Sequence, residues 1–181
     1  DAIRDLARQY PLIVKETGAG ISRGVAERLK GIGIEAIDIA GAGGTSFAAV
    51  EMYRSARAED AVHTEMGSTF FDWGLPAPVS LIEAHCGLPL IASGGILDGT
   101  HVAAAIAMGA TAAGAAHAVL REATESADAV KKKLTLIRDE LRAAMMLTGS
   151  ADIKQLSQTR YAVLGKTRDW LEGLEWTQKN I

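Results

Sequence analysis

Short apolar segments alternate along the chain with longer segments in which apolar residues recur every three or four positions. The segments 12–16, 36–40, 88–93 and 112–116 predict β-strands, each followed by a glycine-rich turn. Because these strands are almost continuously apolar, rather than apolar at alternate positions, they predict a parallel sheet that is covered on both faces. The pattern is that of an α/β fold.

Helices are predicted between the strands and after the last one. Ser22 and Asp98 each precede a helical apolar pattern and are suited to the N-cap position, while Pro76 is suited to a first turn. The segment 55–68 is polar and acidic in patches, and we expect it to form a mobile excursion.

The domain organisation follows from the absence of any low-complexity linker. We predict a single domain over residues 1–181, with strand–helix units over 1–125 and a helical tail over 126–181. Within that tail, a long helix begins after Ser126, and two short helices are predicted around 153–156 and 167–174.

Two architectures contain such units, the open doubly wound sheet and the eight-unit barrel. The glycines at 18 and 20 lack the third glycine of the usual phosphate loop of an open sheet. In barrels, phosphate binds after the last two strands, and here the segments 93–96 and 114–116 are rich in small residues. A complete barrel needs roughly 250 residues. We therefore predict the C-terminal half (strands 5–8) of a TIM (β/α)8 barrel with a helical C-terminal tail.

Composition narrows the class of protein further. There are 19 Lys and Arg residues against 22 Asp and Glu, a formal net charge of −3, and one cysteine, Cys86. This balance gives no support for nucleic-acid binding, no apolar run approaches the roughly 20 residues of a membrane span, and a single cysteine fits the cytoplasm. The first residue is Asp1 rather than Met, so we expect the chain to begin within a longer protein.

Lys15 is the first candidate for chemistry, because it lies at the end of an apolar strand, where an unpaired charge is costly. At the carboxyl end of a barrel strand, its ammonium group could neutralise an anionic ligand. The alternative is a purely structural ion pair with Glu16, Asp38 or another acid at a strand end.

The glycine-rich turns are the second group of candidates. The turn at 41–45 could wrap a ligand with backbone N–H groups and the Thr45 hydroxyl, or Thr45 or Ser46 could simply cap the next helix. Gly95 and its neighbours form the best phosphate candidate by position. His117 could contact a phosphate, although a bystander role is the more common one for such a histidine.

Several other residues are assigned to structure rather than chemistry. His63, His85 and His101 have no metal-ligand spacing, so no metal site is predicted in this chain. Cys86 has no obvious neighbouring base and is expected to be structural, and Trp73 is expected to be a packing anchor.

Five segments together resemble one family, the type 2 (FMN-dependent) isopentenyl diphosphate delta-isomerases. The resemblance runs in order across nearly the whole chain, in the motifs VKETGAGIS (14–22), AIDIAGAGGTSF (36–47), DWGLP (72–76), ASGGI (92–96) and QTRYAVLG (158–165). It implies a (β/α)8 barrel that interconverts isopentenyl and dimethylallyl diphosphates with reduced FMN as an acid/base. It also implies Mg²⁺, with NAD(P)H as the reductant.

The resemblance further implies roles at matching positions. Lys15 would face the flavin, Thr45 would belong to the flavin-binding loop, and two backbone segments would hold the FMN phosphate: Gly95, Ile96 and Leu97, and Ala116 and His117. At the position of Leu97 the family usually has an arginine, whose guanidinium would form a charge-assisted contact with the phosphate. We therefore expect weaker FMN binding by this chain.

Two other readings are kept beside the isomerase. One is an FMN-dependent (β/α)8 oxidoreductase of the 2-hydroxy-acid oxidase or nucleotide dehydrogenase type, and the other is a non-catalytic half-barrel that serves as an assembly subunit. The exposed sheet edges of half a barrel favour a homo-oligomer in every case.

The family's catalytic groups, its substrate-binding basic residues and its metal-binding glutamate are expected upstream of this chain. Residues 1–181 alone should therefore show no isomerase turnover. The measurement is an assay of isopentenyl diphosphate conversion with FMN, Mg²⁺ and a reductant. Flavin-dependent conversion by the chain alone would contradict this expectation.

Overall fold

Four short strands form one parallel sheet in the computed structural model, which describes residues 2–174. The strands are β1 (Ile13–Lys15), β2 (Ala36–Asp38), β3 (Leu90–Ala92) and β4 (Ala112–Ala113). They pair in chain order, with Lys15 opposite Asp38, Asp38 opposite Ile91, and Ile91 opposite Ala112. The predicted α/β fold with a parallel sheet is confirmed.

Helices connect the strands and continue after the last one. In the described residues they are α1 (Ala2–Ala7), α2 (Arg23–Gly31), α3 (Phe47–Arg57), α4 (Ala61–Thr69), α5 (Ala77–Glu83), α6 (Gly99–Ala107), α7 (His117–Glu125), α8 (Ala127–Leu147), α9 (Ile153–Leu156) and α10 (Gly165–Gly173). None of the described helices is long and apolar enough to cross a bilayer.

N-cap residues mark where these helices begin, and Asp98 has the capping role predicted for it. Asp98 accepts hydrogen bonds from the N–H groups of Thr100 and His101, and Ser126 accepts one from Ala129 at 3.1 Å. Ser22 occupies the N-cap of α2 with extended backbone, but its side chain makes no capping bond.

The core lies between the sheet and the helices α2, α5 and α6. Ile37 and Ile39 are fully buried, and Leu81 and Leu90 are nearly so. Since side chains alternate across a strand, burial of Ile37 and Ile39 on the helix-covered face directs Asp38 to the opposite face. Packing of the core thus decides which side chains reach the other side of the sheet.

The segment 55–68, which the sequence predicts to be a mobile excursion, is largely helical. This segment contains the end of α3 and most of α4, which pack against each other. Ser55 is buried, and a Cβ atom at Gly67 would lie only 2.8 Å from the Cβ atom of Met52. The acidic Asp60, which suggested a loop, is the N-cap of α4 and accepts from the N–H of His63. The polar pattern belongs to two short helices with exposed outer faces.

Trp73 is also not the packing anchor that the sequence suggested. Its side chain is 71% exposed and contacts Phe70 edge to face, with ring centroids 5.7 Å apart. The segment is held through its backbone, because Leu75 donates to the carbonyl of Ala19 and accepts from the N–H of Ala42, both at 2.8 Å.

The helical tail has the predicted elements α8, α9 and α10 in the described residues, and α1 and α7 are helices that the sequence pattern did not predict. Residues 175–181 of the predicted tail lie outside the described residues. Cys86 is buried as a free thiol in the core, which fits the expected structural role.

Replacement of Ser126, the N-cap of the longest helix in the described residues, tests this capping. Ser126→Ala should lower the free energy of unfolding by about 1 kcal/mol, because an N–H group of the first turn of α8 loses its acceptor. Urea unfolding of the full chain, followed by circular dichroism, measures this change. Ser68→Ala is the control, since Ser68 is exposed within α4 and caps no helix. An equal loss in both variants would contradict the capping role.

Candidate functional site

A cavity of about 430 Å³ opens at the carboxyl ends of the strands. Every strand contributes to its lining: Lys15 ends β1, Asp38 ends β2, Ser93 follows β3 and Gly114 follows β4. In parallel α/β sheets, ligands bind at this end of the strands, where the loops to the following helices meet. The cavity therefore lies where the architecture places a ligand site.

The charged end of the cavity is a ring of three hydrogen-bonded side chains. The ammonium group of Lys15 donates to Asp38 Oδ2 and to Ser93 Oγ, each at 3.0 Å. The Ser93 hydroxyl in turn donates a short hydrogen bond to Asp38 Oδ1. The ion pair offered as one alternative for Lys15 is thus present with Asp38, while Lys15 remains 55% exposed in the cavity.

Glu16 is not the partner of Lys15. One of its carboxylate oxygens accepts hydrogen bonds from the N–H groups of Gly18, Ala19 and Gly20, at 2.6, 2.5 and 3.1 Å. These bonds hold the loop after β1, because three consecutive backbone donors converge on one oxygen. Glu16 thereby stabilises one wall of the cavity, and Lys15 forms its ion pair with Asp38 instead.

Two glycine-rich loops form the adjoining wall by close backbone contact. Gly94 has φ +91°, and a Cβ atom there would overlap the carbonyl oxygen of Gly41. A Cβ atom at Gly44 would lie 3.1 Å from the Cα atom of Gly94. Only glycine permits this backbone conformation together with such an approach. Bare backbone is therefore exposed to the cavity at Gly44, Gly94 and Gly95.

Helix α7 begins at the far edge of the sheet with no side chain capping it. Its N-cap is Ala116, whose side chain offers no acceptor, and His117 is its first residue. Both line the cavity together with Gly114. The N–H groups of a first helical turn attract anions, and small side chains around them let an anion approach.

The structure brings together six of the seven residues that the resemblance implicates. Lys15, Thr45, Gly95, Ile96, Ala116 and His117 all line this cavity, although no contact with a flavin is tested and that role stays a prediction. Ser46, not Thr45, caps α3, since it accepts from the N–H of Ala49 at 3.2 Å.

Leu97 is the one implicated residue outside the lining of the cavity. Its side chain is 43% exposed, and its N–H contacts His101 Nδ1 at 3.4 Å. Next to it, the hydroxyl of Thr100 and the N–H of His101 hold the pKa of Asp98 below its usual value. The ionised carboxylate of Asp98 therefore stabilises the folded chain at pH values above the pKa that Asp98 has in the unfolded chain. This stabilisation is lost as the pH falls through the lower pKa that Asp98 has in the folded chain.

Asp38 and Ser93 are the residues whose part in the site the sequence analysis missed. From the sequence alone, Asp38 is indicated only as a structural partner of Lys15, and Ser93 only as part of a small-residue turn. A charged residue inside the apolar segment 36–40 is the same kind of signal that drew attention to Lys15. Within the described residues, no group of three or more His, Cys, Asp or Glu side chains could hold a metal ion.

Comparison with known proteins gives the class of protein. The sequence model of the FMN-dependent dehydrogenase family matches residues 2–163, so the chain belongs to that family.

Within it, the chain is similar to proteins named isopentenyl-diphosphate delta-isomerase, which confirms the resemblance seen in the motifs. The protein from Picrophilus torridus is 43% identical over 94% of this chain and 49% of its own length. Those from Methanosarcina mazei and Methanosarcina acetivorans are 43% and 46% identical over 100% and 91% of this chain, and 50% and 45% of their own lengths. The chain spans about half the length of the curated relatives it matches.

Solved structures share the fold at lower identity. A mandelate oxidase is 22% identical with a TM-score of 0.62, covering 90% of this chain and 44% of its own. An (S)-mandelate dehydrogenase is 23% identical with a TM-score of 0.60, covering 86% of this chain and 38% of its own. At this identity the likeness concerns the fold alone.

The contact between the two glycine loops predicts a large effect of a single methyl group. Gly94→Ala should destabilise the chain by about 1–3 kcal/mol more than Gly149→Ala, because the added Cβ atom overlaps backbone that cannot move alone. Gly149 has φ +71° with open space around it, so its substitution measures the cost of backbone strain without the overlap. Thermal and urea unfolding of both variants provide the comparison. Equal losses of stability in the two variants would mean that the loops containing Gly41 and Gly94 can move apart to make room for the added methyl group.

Proposed function

We propose that this chain holds FMN and forms part of an isopentenyl-diphosphate delta-isomerase. The observation that carries the proposal is the layout of the cavity. The cation Lys15 lies on β1, and the uncapped start of α7 follows β4, so the two lie at opposite edges of a four-stranded sheet. With strands about 4.8 Å apart, they are separated by roughly 14 Å. An elongated ligand with anionic character at both ends suits such a cavity.

The residues present fit FMN on chemical grounds. Lys15 would face the pyrimidine side of the ring, where an ammonium group favours negative charge, and Thr45 would add a hydroxyl group. The backbone at Gly95 and Ile96, with Ala116 and His117 at the start of α7, would receive the phosphate. When bound in its reduced form, FMN would supply an acid/base group for moving a proton on the double bond of the substrate. The chain's own part is binding, orientation and electrostatics.

We further propose the C-terminal half of a (β/α)8 barrel, with strands 5–8, as one domain over 1–181. Support comes from the unbroken strand order β1–β2–β3–β4, since open doubly wound sheets reverse their order at a switch point. In the described residues, β1 and β4 each have one neighbouring strand. Such edges need a partner, either the other half of the barrel or another copy, so a homo-oligomer remains part of the proposal.

The finer properties of the complete protein are proposed on the same basis. They are an isoprenoid diphosphate as substrate, Mg²⁺ and NAD(P)H as further requirements, no membrane or nucleic-acid partner, and the cytoplasm as compartment. Support comes from the relatives named isomerases at 43–46% identity. Residues for the metal and for the substrate diphosphate are expected elsewhere in the protein.

A flavin-dependent oxidoreductase is the second candidate. It is favoured by the fold shared with a mandelate oxidase and an (S)-mandelate dehydrogenase, at 22% and 23% identity. The isomerase is preferred because the named isomerases are about twice as similar in sequence. The two differ in outcome, since an isomerase leaves its substrate with no net oxidation. If the chain is instead a non-catalytic assembly subunit, it should bind no flavin.

Flavin titrations of the purified chain test the proposal. FMN should bind saturably, with retained visible absorption after desalting, and riboflavin should bind more weakly because it lacks the phosphate. No binding of FMN at millimolar concentration would contradict the proposal that this chain's residues hold the cofactor.

Leu97→Arg tests the phosphate end of the site. It should lower the Kd for FMN at least about tenfold, because a guanidinium group adds a charge-assisted hydrogen bond worth roughly 1.5–3 kcal/mol. The Kd for riboflavin should stay unchanged. Leu97→Lys is the matched control, with the same charge but no planar fork, and should tighten FMN binding less. If Leu97→Arg lowers the Kd of FMN and of riboflavin equally, the phosphate of FMN does not bind next to residue 97.

A further inference from the structure

The ring of Lys15, Asp38 and Ser93 joins three adjacent strands at the cavity. Lys15 lies opposite Asp38 in the register of β1 and β2. Asp38 lies opposite Ile91 on β3, so Ser93, two residues further on, faces the same side of the sheet. The register of the sheet therefore brings the three side chains together.

The carboxylate of Asp38 is held independently of the lysine. Its Oδ1 atom accepts from the hydroxyl of Ser93 and from the N–H of Ala40 at 3.3 Å. Ala40 itself has φ +33°, an unusual conformation for a residue with a side chain, so the backbone departs from strand geometry directly after this hydrogen bond. Oδ2 is thereby left to Lys15. Since the carboxylate is fixed by groups other than the lysine, it can set the position of the ammonium group.

The ring also limits what Lys15 can offer a ligand. An ammonium group has three N–H donors, and two of them are used by Asp38 and Ser93. One donor remains, on a side chain that is 55% exposed, whereas the side chain of Asp38 is 13% exposed. The positive charge that a ligand meets is balanced by a carboxylate 3.0 Å away.

We infer that Asp38 is a positioning residue that directs the remaining N–H of Lys15 toward the flavin, and that its charge sets the preference of the site between the oxidised and the reduced cofactor. This inference rests on the proposed binding of FMN. Oxidised FMN has a neutral ring, whereas the ring of reduced FMN gains negative charge beside the cation. With the carboxylate of Asp38 present, the site binds both oxidised and reduced FMN. Without the negative charge of Asp38, the positive charge of Lys15 is uncompensated and favours binding of reduced FMN.

The test measures the Kd of FMN in both oxidation states, anaerobically and with dithionite for the reduced form. Asp38→Asn keeps the size of the side chain and removes its charge. The ratio of the oxidised to the reduced Kd should rise about tenfold, which for a two-electron couple corresponds to a potential about 30 mV more positive. Asp38→Ser is a second neutral variant and should shift the ratio in the same direction.

Two further variants separate positioning from a general effect of charge. Asp38→Glu keeps the carboxylate and should leave the ratio within about threefold of the wild type. Asp72→Asn changes the net charge of the chain equally, but at an exposed residue outside the cavity lining, and should leave the ratio unchanged.

The outcomes distinguish this inference from the proposed function. If the wild-type chain binds FMN and the folded neutral variants keep its ratio, the inference is overturned while the proposed function stands. If the wild-type chain binds FMN in neither state, the proposed function fails and the inference falls with it. A rise in the ratio for Asp72→Asn equal to that for Asp38→Asn would also overturn the inference, because charge alone would explain it.

Discussion

The parallel pairing of four short strands is the constraint on which the rest of the structure depends. Since all four run in one direction, their carboxyl ends meet at one edge, and Lys15, Asp38, Ser93 and Gly114 reach the same cavity from four separate strand ends. The register then decides which of them touch. A shift by one residue between β1 and β2 would turn Lys15 and Asp38 to opposite faces. The pairing of the strands thus determines which side chains can interact at this site.

The cavity combines two kinds of surface that have different physical origins. At β1 and β2 it is built from paired charges, whose exposure leaves a cation available to a ligand. In the loops that follow β2 and β3 it is built from bare backbone, because Gly94 approaches Gly41 more closely than any side chain would allow. The two surfaces adjoin in one cavity, since the same strand ends carry both the hydrogen-bonded ring and the glycine-rich loops.

Sequence patterns predicted the strands, the long helix α8 and the capping role of Asp98, because these depend on neighbours a few residues away. They failed where a local pattern has two explanations. The polar segment 55–68 suits a loop as well as a pair of helices with exposed faces, and only the packing of α3 on α4 decides between them. Trp73 suggested an anchor by its size, whereas the backbone around Leu75 does the anchoring.

By itself the sequence determined which residues were able to act: a lysine in an apolar strand, glycines where loops must turn, and small residues after the last two strands. Tertiary structure decided which residues act together. Lys15 could pair with Glu16 or with Asp38, and Glu16 is occupied by the backbone of its own loop. Asp38 and Ser93 lie 23 and 78 residues from Lys15, so no local pattern joins them. Hydrogen bonds act over about 3 Å, and only the register of the sheet brings such distant residues within that range.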